Sequence, residues 1–184
     1  VSFSQEVRTS ASINDTVQLE DVVVTAQKRE ELSQKIPVSL SVISARKVQD
    51  LRLWNSNELT AVVPGLFANN SGDERNVISI RGITTTSYDP AVAVYVDGVN
   101  QFSLDTYIPQ LADVERIEVL RGPQGTLYGR NAMGGVINII TKKGGVNKIS
   151  PSANISYGSY QTFRANAAIN GKLNHFTYNL NYNH

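Results

Sequence analysis

Apolar positions recur along this chain with two different periods. Residues 38–42 alternate, with Val38, Leu40 and Val42 on one parity and Ser39 and Ser41 on the other. Such alternation sets one side of a strand against a core. Beyond it the period lengthens. Ser44 suits a helix N-cap, with Val48 and Leu51 on the buried side. Asn55 and Glu58 have the spacing of a capping box for a second short helix carrying Leu59, Val62 and Val63, and Pro64-Gly65 ends it. Trp54, between the two, reads as a packing anchor. Polar loops are expected over residues 69–76, 83–90 and 99–105, and strands over 77–81 and 91–96. The second of these strands is apolar on both parities, as a strand covered on both faces requires. Asp97-Gly98 signals a tight turn, and a short helix is expected over 106–111.

The strongest pattern runs from residue 114 to 143. Ile117 and Val119 alternate with Arg116, Glu118 and Leu120, and Ile137, Ile139 and Thr141 resume the alternation. Between them stand Gly122, Pro123, Gly125, Gly129, Gly134 and Gly135, a density that demands special backbone geometry. Such a middle either cradles an anion or folds compactly against something large. It lacks G-x-x-x-x-G-K-[ST], and lacks G-x-G-x-x-G before a long helix, which weighs against a phosphate site. The order of elements predicts an α+β domain with a mixed sheet and short helices, ending near Lys143.

After Gly144-Gly145 the pattern becomes strict and long. Ala153, Ile155 and Tyr157 alternate with Asn154 and Ser156. Phe163, Ala165, Ala167 and Ile169 alternate with Thr162, Arg164, Asn166 and Asn170. Phe176, Tyr178, Leu180 and Tyr182 alternate with Thr177, Asn179, Asn181 and Asn183. These predict three strands of about ten residues, the length of a transmembrane β-strand, with turns at Gly158-Ser159 and over 171–174. Asn, Ser and Thr on the polar parity, in place of Lys and Glu, favour a barrel over a soluble meander.

At the other end, residues 1–19 are polar and aperiodic and read as a disordered tail. Glu20, Asp21, Val22, Val23, Val24, Thr25 and Ala26 interrupt it with a β-prone run. Such an island is either an edge strand of this domain or a segment that adds to the sheet edge of a partner. The pattern leaves both open.

Composition narrows the chemistry. The chain has 184 residues, of which 41% are hydrophobic and 18% charged. A charged share below the usual roughly 25% leaves an unusually neutral polar surface. A net charge of +1 gives no electrostatic case for nucleic acid. Without cysteine there is no disulfide, zinc-thiolate site or thiol nucleophile. Both histidines, His175 and His184, fall in the last ten residues, no Ser stands in a nucleophile elbow, and the aspartates lack calcium-loop spacing. An enzyme, a resident metal and a cofactor are not expected. No apolar run approaches the roughly 18 residues of a membrane helix. The start at Val1 fits a removed signal peptide or a cloning boundary equally well.

Residues 114–143, VERIEVLRGPQGTLYGRNAMGGVINIITKK, closely resemble the plug signature of TonB-dependent outer-membrane receptors. Residues 91–99, 80–83, 36–43 and 63–65 extend the match, and residues 20–31 resemble the family's TonB box and linker. Met133 departs from the small residue common in relatives. The resemblance implies three regions: a flexible tail with a TonB box over 1–31, a plug over 32–145, and over 146–184 the first strands of an antiparallel transmembrane barrel that the chain does not close. A gene fragment or truncated record is expected, unable to transport by itself. The implied activity is gated, energy-dependent uptake of a ligand such as a ferric siderophore, haem, cobalamin or oligosaccharide. The implied partners are periplasmic TonB, adding as a strand to residues 20–26, the remainder of the barrel, the ligand and outer-membrane lipid. The plug is expected inside the barrel lumen with its tail in the periplasm. Arg81 and Arg121 become candidates for pairing with barrel carboxylates. Asn70, Asp73, Arg75, Thr85, Tyr88, Gln101 and Phe102 become candidate ligand-facing positions. The alternative is a soluble periplasmic module with a plug-like fold and no barrel.

Overall fold

The computed structural model describes residues 23–25, 31–32, 37–70, 76–85, 89–102, 111, 113–143, 149–173 and 176–183. A five-stranded mixed sheet is its centre. Strands β3 (Ser39–Ser44), β8 (Val114–Arg121), β9 (Gly135–Thr141), β6 (Val92–Val96) and β7 (Val99–Asn100) lie side by side in that order. All pairs are antiparallel except β6 with β9. Alternation therefore gives this sheet two buried faces. Ile43, Val92, Val94, Ile117, Val119, Ile137 and Ile139 point into one core, beneath α1 (Ala45–Asp50) and a 3-10 helix, Ser56–Ala61. Ala93, Tyr95, Leu120 and Val136 point into the other, with Val38, Leu40 and Val42 half-buried beside them.

Local chemistry sets the ends of the elements. Ser44 Oγ accepts from the Lys47 N–H, capping α1 as expected. The helix stops at Asp50, one residue before Leu51, so Leu51 is exposed and Leu53 takes the buried place assigned to it from sequence. Asn55 Oδ1 caps the 3-10 helix through the Asn57 N–H. Glu58 reaches back to the Trp54 N–H, one residue earlier than the capping box predicts. The polar loop expected over 69–76 is shorter than its sequence suggests. Leu66–Asn70 (β4) and Asn76–Ile80 (β5) form a hairpin of their own, because Leu66 is buried while its neighbours stay polar or exposed. Asp97 and Gly98, both with positive φ, make the expected turn between β6 and β7, and Asp97 caps Thr141 through its N–H (2.9 Å) and hydroxyl (2.6 Å). The helix expected over 106–111 lies outside the described residues except for Leu111, whose N–H donates to the Trp54 carbonyl.

The glycine-rich middle folds as a compact turn around a single helical turn, α2 (Gly125–Tyr128). Gly122 N–H donates to Gly134 O and Gln124 N–H to Ala132 O, closing the loop on itself. Gly135, at φ +153°, stands against Leu120, where a Cβ would overlap the Leu120 carbonyl oxygen and approach Ile80 Cδ1 to 2.8 Å.

Three further strands, β10 (Ser150–Gly158), β11 (Thr162–Leu173) and β12 (Phe176–Asn183), form a separate antiparallel meander. The first turn falls at Ser159–Gln161, where Tyr160 and Gln161 both have positive φ. The second turn is later than expected. Gly171 is in strand, opposite Tyr178, whose ring lies where a side chain would otherwise stand. No helix among the described residues is long and apolar enough to cross a membrane, which leaves crossing by strands open.

Candidate functional site

Three features stand out, and the first is the meander. Its registers bring like residues together: Tyr157 faces Phe163, Ile155 faces Ala165, and Ile169 lies between Pro151 and Leu180. Ile155, Tyr157, Phe163, Ile169, Phe176, Leu180 and Tyr182 are exposed. The opposite parity carries Ser152, Asn154, Asn166, Ala168 and Asn170, and this side turns toward the five-stranded domain. Ala168 and Asn170 are buried there, and Asn170 Nδ2 donates to Asp113 Oδ2 at 3.4 Å. Asp113 in turn pairs with Lys142 at 3.6 Å. A cleft of about 700 Å³ lies between the meander and α1, Trp54 and the start of β8, lined by Ser152, Asn154 and Asn166 and also by Ile155 and Tyr157. The sheet is thus inside out relative to a soluble protein: polar inward, apolar outward.

The second feature is a convergence of arginines. Arg81 sits at φ +53° in the turn after β5, its N–H bonded to the Gly65 carbonyl at 2.7 Å. Arg121 ends β8 and donates from Nη1 to the Pro64 carbonyl at 3.4 Å, while its Nε is buried without a hydrogen-bond partner. Arg81 Nη1 lies 3.9 Å from where a Gly122 Cβ would stand, so both guanidinium groups gather around residues 64–65 and 122. Among the described residues neither pairs with a carboxylate.

The third is a polar cluster under the second sheet face. Glu118 is fully buried. Its Oε1 accepts from Arg116 Nε and from the Thr25 N–H, both at 2.8 Å. Oε2 accepts from Asn138 Nδ2 at 3.4 Å, which also donates to Thr25 Oγ1 at 3.2 Å. Thr25 follows β1 (Val23–Val24), paired antiparallel with β2 (Glu31–Leu32). Val24 is fully buried against the Leu120, Tyr128 and Val136 group. Three residues of the valine island therefore lie on the sheet rather than apart from it. Glu20, Asp21, Val22 and Ala26 lie outside the described residues. Beside the cluster, Tyr128 and Tyr95 meet edge to face at 5.1 Å, and Tyr95 Oη donates to the Tyr128 carbonyl. Burial, then the Glu118 charge and Tyr95, push the Tyr128 phenol up to about 12.

Glu118 and Asn138 hold this cluster together and are not singled out by the sequence patterns above. A signal for them exists. Asn138 is the lone polar residue of its parity, between Val136 and Ile140, and its register partner Glu118 stands between Arg116 and Leu120.

The candidate ligand-facing positions separate. Thr85 follows the Arg81 turn. Phe102 is exposed after β7, where Gln101 N–H donates to the Val94 carbonyl. Asn70 is at the opposite end of the β4–β5 hairpin from Arg81. Asp73, Arg75 and Tyr88 lie outside the described residues. No group of three metal-ligating side chains occurs among those described.

Residues 33–136 match the family model described as TonB-dependent Receptor Plug Domain. The chain is 47% identical over 126 residues to the pesticin receptor of Yersinia pestis, covering 66% of this chain and 19% of that protein. It is 32% identical over 180 residues to the vitamin B12 transporter BtuB of Vibrio vulnificus, covering 95% of this chain and 27% of the transporter. Among solved structures, the ferric yersiniabactin uptake receptor FyuA of Yersinia pestis superposes with a TM-score of 0.66 at 39% identity, over 75% of this chain and 22% of the receptor. The ferripyoverdine receptor of Pseudomonas aeruginosa, at 21% identity, shares the fold with a TM-score of 0.70. The chain spans about a fifth to a quarter of the length of these relatives. The family model covers more than half of the chain, and the protein belongs to the TonB-dependent receptor plug family.

Proposed function

We propose that this chain is the plug and first barrel strands of an outer-membrane receptor that gates TonB-driven uptake of a scarce ligand. The observation that carries this reading is the inside-out meander. An exposed row of Ile, Phe, Tyr and Leu is unfavourable in water and favourable against acyl chains. A polar face turned to the plug suits a barrel lumen. An iron chelate is the first ligand class to test, since relatives at 39% and more include a ferric yersiniabactin uptake receptor. Cobalamin is the second, from the transporter matched along 95% of this chain.

Arg81 and Arg121 supply two gathered positive charges, suited to carboxylates on the inner wall of the barrel. Half-buried Thr85 and exposed Phe102 stand on loops suited to touching ligand. Residues 20–26 engage periplasmic TonB by strand addition, in which backbone pairing supplies the affinity. Val23→Pro removes a backbone donor there and prevents pairing. Pull-down of the receptor by the TonB C-terminal domain is expected to be lost, and unchanged capture would reject this use of the valine island.

A further inference from the structure

The five-stranded domain meets the meander at one end and stands off it along the rest. At the meeting point Asp113, just before β8, has a left-handed backbone at φ +55° and a side chain 5% exposed. Its carbonyl accepts from the Lys142 N–H at 2.9 Å. Its Oδ1 pairs with Lys142 Nζ at 3.6 Å, and its Oδ2 accepts from Asn170 Nδ2 at 3.4 Å. One residue earlier on that strand, Thr141 is gripped by Asp97, which also has a left-handed backbone. Two aspartates therefore fix the end of β9, where the chain leaves the domain for the meander. Of the two, Asp113 also reaches β11.

Asn170 is the meander's side of this joint. Its Oδ1 is buried without a hydrogen-bond partner. A buried orphan acceptor is unfavourable, so alanine at this position would be neutral or stabilising if the amide served β11 alone. The bond from Nδ2 to a carboxylate accounts for the amide, because a hydrogen bond to a charged group is stronger than one between neutral groups. Ala168 is buried beside it. Farther along, the cleft opens, with Gln49, Arg52 and Trp54 on one bank and Ser152, Asn154 and Asn166 on the other. Close-packed surfaces resist relative motion, and a gap of about 700 Å³ removes that resistance on this side.

We propose that Asp113, Lys142 and Asn170 form a hinge that seats the plug against the barrel wall, and that the cleft is the space this hinge opens and closes. The hinge takes its biological role from the reading of the meander as barrel wall. Hinges are built from a few residues at element ends, and Asp113 and Lys142 stand at the start of β8 and just past the end of β9. Asp97 and Lys142 are positioning residues, holding the end of β9 so that Asp113 presents Oδ2 to β11. Tilting about the joint changes the width of the cleft and leaves the sheet registers intact.

The test places pairs of spin labels in the intact receptor in outer membranes; this chain has no cysteine to compete. K143C with K172C spans the joint and Q49C with N154C spans the cleft, all four at exposed positions. Pulsed dipolar spectroscopy is expected to give a narrow distance distribution across the joint and one at least about twofold wider across the cleft. N170A, which leaves the plug untouched, is expected to widen the joint distribution at least about twofold, and D113A to do the same from the plug side. N166A, on the same face of β11 and lining the cleft, is the control and leaves the joint unchanged. Equal widths across joint and cleft in the otherwise unsubstituted receptor overturn the hinge, whether or not the variants fold. A joint distribution unchanged by N170A also overturns it, by making the Asp113 contact incidental. A label at L180C decides the barrel reading separately, since a lipid-facing site is relaxed more by oxygen than by a water-soluble nickel chelate. If that contrast is missing while the joint stays narrow and N170A widens it, the hinge stands and the barrel reading falls.

Discussion

Gly135→Ala is the sharpest test of the glycine-rich turn as a packing device. At φ +153° the backbone lies where side chains are rarely found, and such strain costs about 1–3 kcal/mol. The added methyl also meets Ile80 Cδ1 at 2.8 Å and overlaps the Leu120 carbonyl oxygen, which β8 cannot move without disturbing its register with β9. Overpacking of this kind adds about 1–3 kcal/mol. Together the penalty is about 2–6 kcal/mol. Gly125 is the internal control, since it opens α2, has no unusual φ, and a Cβ there meets nothing. Gly125→Ala is expected to be neutral or to stabilise by up to about 1 kcal/mol. The assay is amide hydrogen exchange of β8 and β9 in the intact receptor. At about 1.4 kcal/mol per tenfold, Gly135→Ala should speed exchange by between about thirtyfold and about twenty-thousandfold. A change below about threefold would show that the turn relaxes freely, and the packing argument would be wrong.

Two further outcomes are expected. Ile169→Lys places a charge on the outward face of β11 between Pro151 and Leu180, and should cost about 2–4 kcal/mol if that face meets lipid; heat-modifiable gel mobility reads the resulting loss of assembled receptor, and normal assembly would count against a lipid-facing strand. The raised phenol of Tyr128 links stability to alkaline pH. Its folded value is above the unfolded one, so its contribution is complete below about pH 10 and is lost as pH rises toward about 12; ultraviolet phenolate titration of wild type against Tyr128→Phe should show one late-titrating group missing from the variant.

Much of this architecture is written in side-chain alternation. Strands β6, β8 and β9 follow from it because each buries the apolar residues of at least one parity, and β3 and the meander follow from their strict alternation of apolar with Ser, Asn or Thr. Strand β4 does not, since Leu66 is its only buried residue and Asn69 and Asn70 look like loop. Gly171 reads as a turn until its partner Tyr178 is known, because a cross-strand aromatic makes use of the missing side chain. The docking of Val24 and Thr25 is the least legible. A two-residue strand has no period, and the surface that receives it is polar at Glu118 and Asn138, so each half looks solvated when viewed alone. The arginines differ again: the motifs single out Arg81 and Arg121, but only the fold shows that residues forty apart gather at one turn.

The central claim is that the meander turns its apolar face to lipid and its polar face to the plug. The direct measurement is labelling of the intact receptor in outer membranes with a membrane-soluble photoactivated carbene, followed by residue-level mass spectrometry. The account predicts label on Ile155, Tyr157, Ile169 and Leu180, and none on Asn154, Asn166 or Asn170. Label on both parities, or on the Asn parity alone, would contradict it.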